Sequence, residues 1–275
     1  IQVNAYLGEF SDGDGVSQRY DFLLGHQGER GGITVGAEWA DEARVAARDR
    51  PFSAFPRGSS LPNVGWTTVG QFGGWTSTGT QAIPGLSGRV VLRDGGNPLN
   101  YLDYRAQNTS STSTADKSNT NEQTDLRTPL ERKTIFVNGS YDFTDTVSFN
   151  TGLAYSRRES SRQVAGYPMQ ADAFSTPMAV NSYFNPLGTF HGFATPRAIN
   201  NWWRRTWEVP RVSDSVVDNL RFTAAVEGEF RFAERDFAWD VNYAFNQNEN
   251  VQSSFGNLNL ATTRAAVGPS FLNAA

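Results

Sequence analysis

Residues 128–160 read TPLERKTIFVNGSYDFTDTVSFNTGLAYSRRES. Ile135, Val137, Gly139, Tyr141 and Phe143 fall on one side of an extended chain, with Phe136, Asn138, Ser140 and Asp142 on the other. After Asp145 and Thr146 the pattern resumes: Val147, Phe149, Thr151, Leu153 and Tyr155 oppose Ser148, Asn150, Gly152, Ala154 and Ser156. Strict period-two alternation is the signature of a strand with one dry and one wet face, whereas a helix repeats every 3.6 residues. Two such runs joined by two residues predict an antiparallel hairpin.

Five further stretches obey the same rule. Ile1, Val3, Ala5 and Leu7 share one face, as do Tyr20, Phe22 and Leu24, and then Ile33, Val35, Ala37 and Trp39. Leu220, Phe222, Ala224, Val226, Gly228 and Phe230 oppose Arg221, Thr223, Ala225, Glu227, Glu229 and Arg231. Phe237, Trp239, Val241, Tyr243 and Phe245 oppose Asp240, Asn242, Ala244 and Asn246. The fold class is therefore all-β, with seven antiparallel strands.

Composition narrows the function classes. The 275 residues carry a formal charge of −4 and no cysteine, which excludes a disulfide scaffold, a zinc-thiolate site, a thiol enzyme and a basic nucleic-acid-binding domain. No apolar run reaches the roughly 18 residues of a helical membrane span. A membrane β-barrel stays open, because alternation hides its lipid face from any average of hydropathy. The start, IQVNAYLGEF, lacks the basic and apolar regions of a signal peptide, and the final RAAVGPSFLNAA closes no periodic pattern; we expect a segment of a longer protein.

A soluble β-sandwich also has dry and wet faces. Three features favour a membrane barrel over it. Several stretches run ten residues or more, and ten residues tilted by about 45° rise roughly 24 Å, the height of an outer-membrane apolar band. Connections alternate between short turns (Gln27 to Gly32, Asp145 to Thr146, Ala233 to Asp236) and long loops at about 41–131 and 157–214, whereas loops beyond about 15 residues are uncommon in compact domains. Aromatics cluster at the stretch ends, with Phe143, Phe230, Phe232, Phe237 and Trp239 beside the short turns and Trp39, Tyr155 and Phe245 beside the long loops, as two interfacial girdles require. The wet faces carry Glu38, Arg221, Glu227, Glu229, Arg231 and Asp240, charged rows suited to the lumen. Seven strands would leave open edges, which lipid does not tolerate, so more strands are expected outside this segment.

The text around the opening hairpin resembles the barrel of TonB-dependent outer-membrane receptors: Thr128, Pro129, Glu131 and Arg132 ending a loop, the turn from Tyr141 to Asp145, and Arg157 and Arg158 closing the next strand. GEFSDGDG at 8–15, YDFLLGHQGERGG at 20–32, DRPFS at 49–53, YFNPLG at 183–188 and WRRTWEVPR at 203–211 are similar to that family's recurring barrel and loop text. The resemblance covers nearly the whole chain, so residues 1–275 read as one partial barrel domain. It implies a barrel of about 22 strands, long extracellular loops, short periplasmic turns and a lumen closed by a plug. At about 39 residues per strand such a barrel needs roughly 860 residues, and this chain is about a third of it.

From the resemblance follow a bacterial outer-membrane location in a Gram-negative cell and uptake of a scarce nutrient, an iron chelate, a cobalamin or an oligosaccharide. TonB is the implied partner, acting through a plug segment not in this chain, with outer-membrane lipid and lipopolysaccharide around the barrel. No cofactor is implied. The loops are the candidate capture surface: Trp66, Trp75, Trp202, Trp203 and Trp207 offer flat apolar faces, and Arg93, Asp94, Arg105, Arg204 and Arg205 offer orienting hydrogen bonds. Such tryptophans also pack inside folded loops. Arg157, Arg158 and Arg162 are candidate partners of lipopolysaccharide phosphates, or a solvated loop base. Residues 108–124, NTSSTSTADKSNTNEQT, read as a mobile polar loop.

Metal and enzyme readings find no support. SDGDG at 11–15 lacks the distal carboxylate of a calcium loop and reads as a tight turn. His26 and His191 lie far apart with no metal-ligand spacing, and GLSGR at 85–89 misses the last glycine of a nucleophile elbow. Glu227 and Glu229, beside Arg221 and Arg231, read as lumen wall rather than a catalytic pair. The alternative function is a soluble carbohydrate-binding or adhesion module.

Overall fold

The predicted hairpin forms in the computed structural model, which describes residues 1–271. All seven alternating stretches are strands: β1 (Gln2–Gly8), β2 (Ser17–Gln27), β3 (Gly31–Glu42), β4 (Leu130–Thr144), β5 (Val147–Val164), β6 (Arg211–Phe232) and β7 (Arg235–Phe255). They build a single sheet in the order β1-β2-β3-β4-β5-β6-β7, each strand beside its sequence neighbour. The chain resolves into two units. The sheet unit comprises Ile1–Val45, Asp125–Arg162 and Ser213–Ser254; the loop unit comprises Ala46–Thr124, Gln163–Val212 and the chain from Phe255.

Register in the sheet unit lines apolar residues up in rows that cross the strands. Val3 faces Phe22, Phe22 faces Ala37, Ala37 faces Ile135 and Ile135 faces Tyr155, and the next row runs Leu24, Val35, Val137, Leu153. A slip of one residue would scatter these rows over both faces. Yet Val45 is the only buried apolar side chain of this unit among the described residues, while Val3, Leu7 and Val241 are 72%, 71% and 66% exposed. The sheet is thus ordered by its pattern and its hydrogen bonds, with one whole face uncovered.

Three short connections lie at one end of the sheet: 28–30, Asp145–Thr146 and Ala233–Glu234. The last closes β6 onto β7 with two non-glycine residues at positive φ, 48° and 62°, the backbone of a type I′ turn whose twist suits a hairpin. At the other end the β1–β2 tip is folded tightly, with Phe10 N donating to Asp14 O at 2.9 Å and Gly13 N to Phe10 O at 2.9 Å.

Both long loops are shorter than expected. The strands run on to Glu42 and Val164 and resume at Leu130 and Arg211, so the connections are 43–129 and 165–210 rather than 41–131 and 157–214. The added strand ends are polar on both faces, SRRESSRQV in β5 and QNENVQSS in β7. A strand with water on both sides has no reason to alternate, and backbone pairing alone carries it.

The loop unit has a conventional core: Trp75, Ile83, Val90, Tyr104, Leu187, Phe193 and Ile199, with Leu86, Leu92 and Trp202 packed on its margin. It surrounds one face of a five-stranded sheet ordered Pro168–Gln170, Trp203–Arg205, Gly74–Ser77, Gly88–Leu92, Tyr104–Ala106. The final stretch, 264–275, which showed no periodicity, begins within a helix at Leu260–Val267, capped by Asn259 Oδ1 accepting from Ala261 N and Thr262 N; residues 272–275 lie outside the described residues. Replacing Ala233-Glu234 by Asn-Gly relieves the positive-φ strain. We expect a stabilisation of about 1 kcal/mol, read as a higher denaturant midpoint at unchanged slope.

Candidate functional site

The two faces of the sheet unit differ in chemistry as well as in polarity. On the polar face Glu38 binds Arg19 at 2.8 Å and Arg132 at 2.5 Å, and Asp21 accepts from Asn4 Nδ2 at 2.7 Å. Glu227 accepts from Ser148 Oγ at 3.1 Å and Asn150 Nδ2 at 3.0 Å, Arg231 lies 3.7 Å from Asp236, and Asp240 accepts from Asn242. Arg221 and Glu229 share this face by alternation. A recess of about 620 Å³ near the short turns is lined by Glu29, Asp142, Glu227, Glu229 and Asp240 among others, an acidic surface overall.

On the apolar face, aromatics reach upward into charge. Tyr20 stacks on Trp39 at 5.6 Å; Trp39 Nε1 donates to Glu131 at 2.8 Å and Tyr155 OH to Asp218 at 2.6 Å. Glu131 in turn meets Lys133 at 2.8 Å, and Arg157 meets Glu159 at 2.6 Å and Asp218 at 3.2 Å. Each ring thus has an apolar body within the bare face and a polar tip against an ionic row. At the short-turn end Phe230 stacks on Phe237 at 5.3 Å and Tyr141 meets Phe143 edge-on at 5.4 Å.

The three arginines taken as a phosphate-binding group are not one. Arg157 is committed to Glu159 and Asp218. Arg158, opposite Arg132, and Arg162 lie on the other face by alternation, because neighbours in a strand point to opposite sides.

In the loop unit, most of the proposed capture residues hold the fold. Trp75 is 3% and Trp203 4% exposed, so neither offers a face to a ligand. Trp75 packs on Tyr104 at 4.3 Å between centroids, and Trp203 lies 4.2 Å beneath the Arg89 guanidinium. Half-buried Trp66 and Trp202 spend their indole N–H groups on Pro62 O and Thr176 O, both at 2.8 Å, and half-buried Trp207 accepts at its carbonyl from Gln123 Nε2 at 2.6 Å. The tryptophans that the sequence offered as ligand platforms are mainly packing groups.

Arg205 is buried and donates to Val69 O at 3.2 Å and Gly166 O at 2.8 Å; burial, with Arg211 nearby, lowers its pKa. Arg105 grips Asp116 with two bonds of 2.6 Å, and that hydrogen bonding holds the Asp116 carboxyl below the usual carboxylate range. Arg204 is exposed and pairs with Glu208. Arg93 and Asp94 are exposed. Six candidate residues are thus tied into the fold, and the structure does not gather the set into one pocket.

The polar segment 108–124, expected to be a mobile loop, is anchored at 117–119. Lys117, Ser118 and Asn119 are buried, Ser118 exchanges two 3.1 Å backbone bonds with Thr67, and Asn119 Nδ2 donates to Ala54 O at 2.7 Å. Polar composition misled because this segment is held by hydrogen bonds rather than by apolar packing.

The sequence reading missed a ring cluster at 183–191. Tyr183 lies 5.7 Å from Phe184, 6.3 Å from Phe190 and 5.4 Å from His191, centroid to centroid, with interplanar angles of 83°, 54° and 70°. Tyr183 is 47% and Phe184 55% exposed. Beneath them Asn185, fully buried, donates to Ala179 O at 2.9 Å and Arg197 O at 2.8 Å and accepts from Leu187 N at 2.9 Å. Ser270 Oγ, beyond the capped helix, accepts from Tyr183 N at 3.0 Å. The signal was the crowding of four rings into nine residues.

No family model matches the chain, and no curated protein matches it. Among solved structures it is similar to BauA, the ferric preacinetobactin receptor of Acinetobacter baumannii, at 12% identity and a TM-score of 0.41, over 91% of this chain and 26% of that one. The chain spans about a quarter of the length of the receptor it is matched with.

Two expectations follow for the loop unit. Asn185→Ala removes the acceptor of buried Leu187 N and a donor to Arg197 O, while Ala179 O keeps Ser182 N at 3.1 Å; it costs about 1–3 kcal/mol, measured as a lower unfolding midpoint. Asp116, with its folded pKa below the reference 3.8, stabilises the folded form at neutral pH. That contribution fades as pH falls below about 3.8 through the folded value. Asp116→Asn, which tolerates the φ of 63° there, therefore lowers stability at pH 7 and flattens its dependence on pH between 5 and 2 in thermal melts.

Proposed function

We propose that this chain is part of the wall and outer loops of a TonB-dependent receptor barrel in a bacterial outer membrane, and that the whole protein captures a scarce nutrient and imports it with TonB-relayed energy. The observation that carries the reading is the bare apolar face, bounded at one end by aromatic tips set against an ionic row. From Leu220 to Phe230 the apolar face of β6 spans ten residue steps, about 24 Å high at a 45° tilt, which suits the outer-membrane hydrocarbon. A groove of about 560 Å³ on this face, lined by Val3, Phe22, Trp39, Ile135 and Tyr155 among others, has the apolar lining that an acyl chain packs on. In this reading Glu38, Arg221, Glu227, Glu229, Arg231 and Asp240 face the lumen.

β1 and β7 each have a single neighbour, so the closed wall takes its remaining strands from outside these residues, as an edge in hydrocarbon would strand its backbone donors. The plug that meets TonB also lies outside them. Work from TonB is needed because a site that holds a nanomolar ligand binds it by about 12 kcal/mol. We assign no catalytic group. The alternative, a soluble sandwich, requires a second apolar sheet against this face, whereas its side chains among the described residues are exposed or half-buried.

An arginine at Val241 or Leu153 costs about 2–4 kcal/mol near the bilayer midplane, and we expect the heat-modifiable, membrane-inserted form to fall sharply. Arginine at Asn242 or Thr34, on the polar face, leaves insertion near the parent level. Equal tolerance on both faces, or a protein that stays monodisperse without detergent, refutes the reading.

A further inference from the structure

We infer that the Tyr183–Phe184–Phe190–His191 cluster is a docking surface for an uncharged, polyhydroxylated ring, the pyranose units of a neutral oligosaccharide. The inference rests on the reading above, in which the loops capture the nutrient, and it names the class of that nutrient.

Three observations combine. First, the rings are exposed although apolar: Phe184 is 55% and Tyr183 47% exposed, and edge-to-face contacts of 83° and 70° hold them in fixed, non-parallel planes. Sugar C–H faces pack on such rings, while the Tyr183 hydroxyl at the margin orients the sugar's own hydroxyls; His191 Nε2 is held by Tyr183 O and serves to fix the cluster. Second, the cluster is preorganised. Asn185 pins the chain from beneath through Ala179 O, Arg197 O and Leu187 N, and Ser270 fixes the Tyr183 backbone. A surface that is already ordered loses little entropy on binding.

Third, the charge is wrong for an anion. No Asp, Glu, Lys or Arg occurs from residue 173 to 196. The nearest arginines in the chain and in the adjoining helix are committed elsewhere: Arg197 to Thr195 O at 3.1 Å and Thr80 O at 3.0 Å, and Arg264 to Ser175 O at 2.9 Å and Phe174 O at 3.0 Å. An anionic iron chelate placed on these rings would lose hydration without gaining a counter-charge. A neutral saccharide meets no such cost.

The test uses the full-length protein purified in detergent, with calorimetric titration of malto-, cello- and xylohexaose and of a ferric tris-catecholate as the anionic comparator. At least one hexaose binds, Phe184→Ala weakens it tenfold or more, and Tyr183→Phe, which keeps the ring, stays within about threefold. Because Phe184 is exposed, its truncation leaves the fold intact, and the unchanged heat-modifiable form verifies that. Failure of every hexaose to bind overturns the inference, as does hexaose binding that Phe184→Ala leaves unchanged, or tight binding of the catecholate weakened by the same substitution. In each case a normally inserted protein leaves the receptor reading standing. Sensitivity to Phe184→Ala in a protein that needs no detergent refutes the receptor and retains the sugar surface.

Discussion

A continuous apolar sheet face cannot remain in water, and the rest of the structure depends on that constraint. Each Leu, Phe or Val left exposed forfeits roughly 1.5–3 kcal/mol relative to burial. Rows such as Leu24, Val35, Val137 and Leu153 repeat that cost across seven strands, so the total exceeds the 5–15 kcal/mol by which a domain is ordinarily stable. The sheet therefore requires a covering medium. Hydrocarbon supplies one without any partner side chains, provided that the backbone satisfies itself by strand pairing. The same requirement explains where the aromatics with polar handles sit. Trp39 and Tyr155 keep their rings with the apolar rows and give their N–H and O–H to Glu131 and Asp218.

The loop unit obeys the opposite rule. Its tryptophans and arginines go inward, Trp75 and Trp203 into packing and Arg205 onto backbone carbonyls, because long connections in water need a core of their own to be ordered. A stack such as Arg89 on Trp203 serves stability where composition alone would read recognition. At 183–191 an uncharged set of rings stays outside, with buried Asn185 in the same segment, which gives the unit one apolar patch that carries no charge of its own.

The sheet was legible in the sequence because a bare apolar face imposes strict alternation. Tyr20 to Gly25, Ile33 to Trp39 and the hairpin around Asp145 all lie inside the strands that form. Strand ends were illegible for the complementary reason. Above the apolar band both faces of β7 meet water, and bonds such as Asn248 to Asn219 and Ser215 to Asn250 leave no periodic trace. The candidate site was less legible still. Whether Trp75 or Phe184 is exposed depends on contacts between segments a hundred residues apart, such as the pairing of Trp203 with Gly74, and local sequence does not encode that.

The most direct test of the central claim is collisional accessibility. The chain has no cysteine, so Val241→Cys and Asn242→Cys each place a single nitroxide label within it on neighbouring residues of β7. In reconstituted full-length protein the account predicts that the label at 241 relaxes with oxygen dissolved in the bilayer and is shielded from a water-soluble nickel chelate, with the preference reversed at 242. Equal access of the nickel chelate to both positions would contradict it.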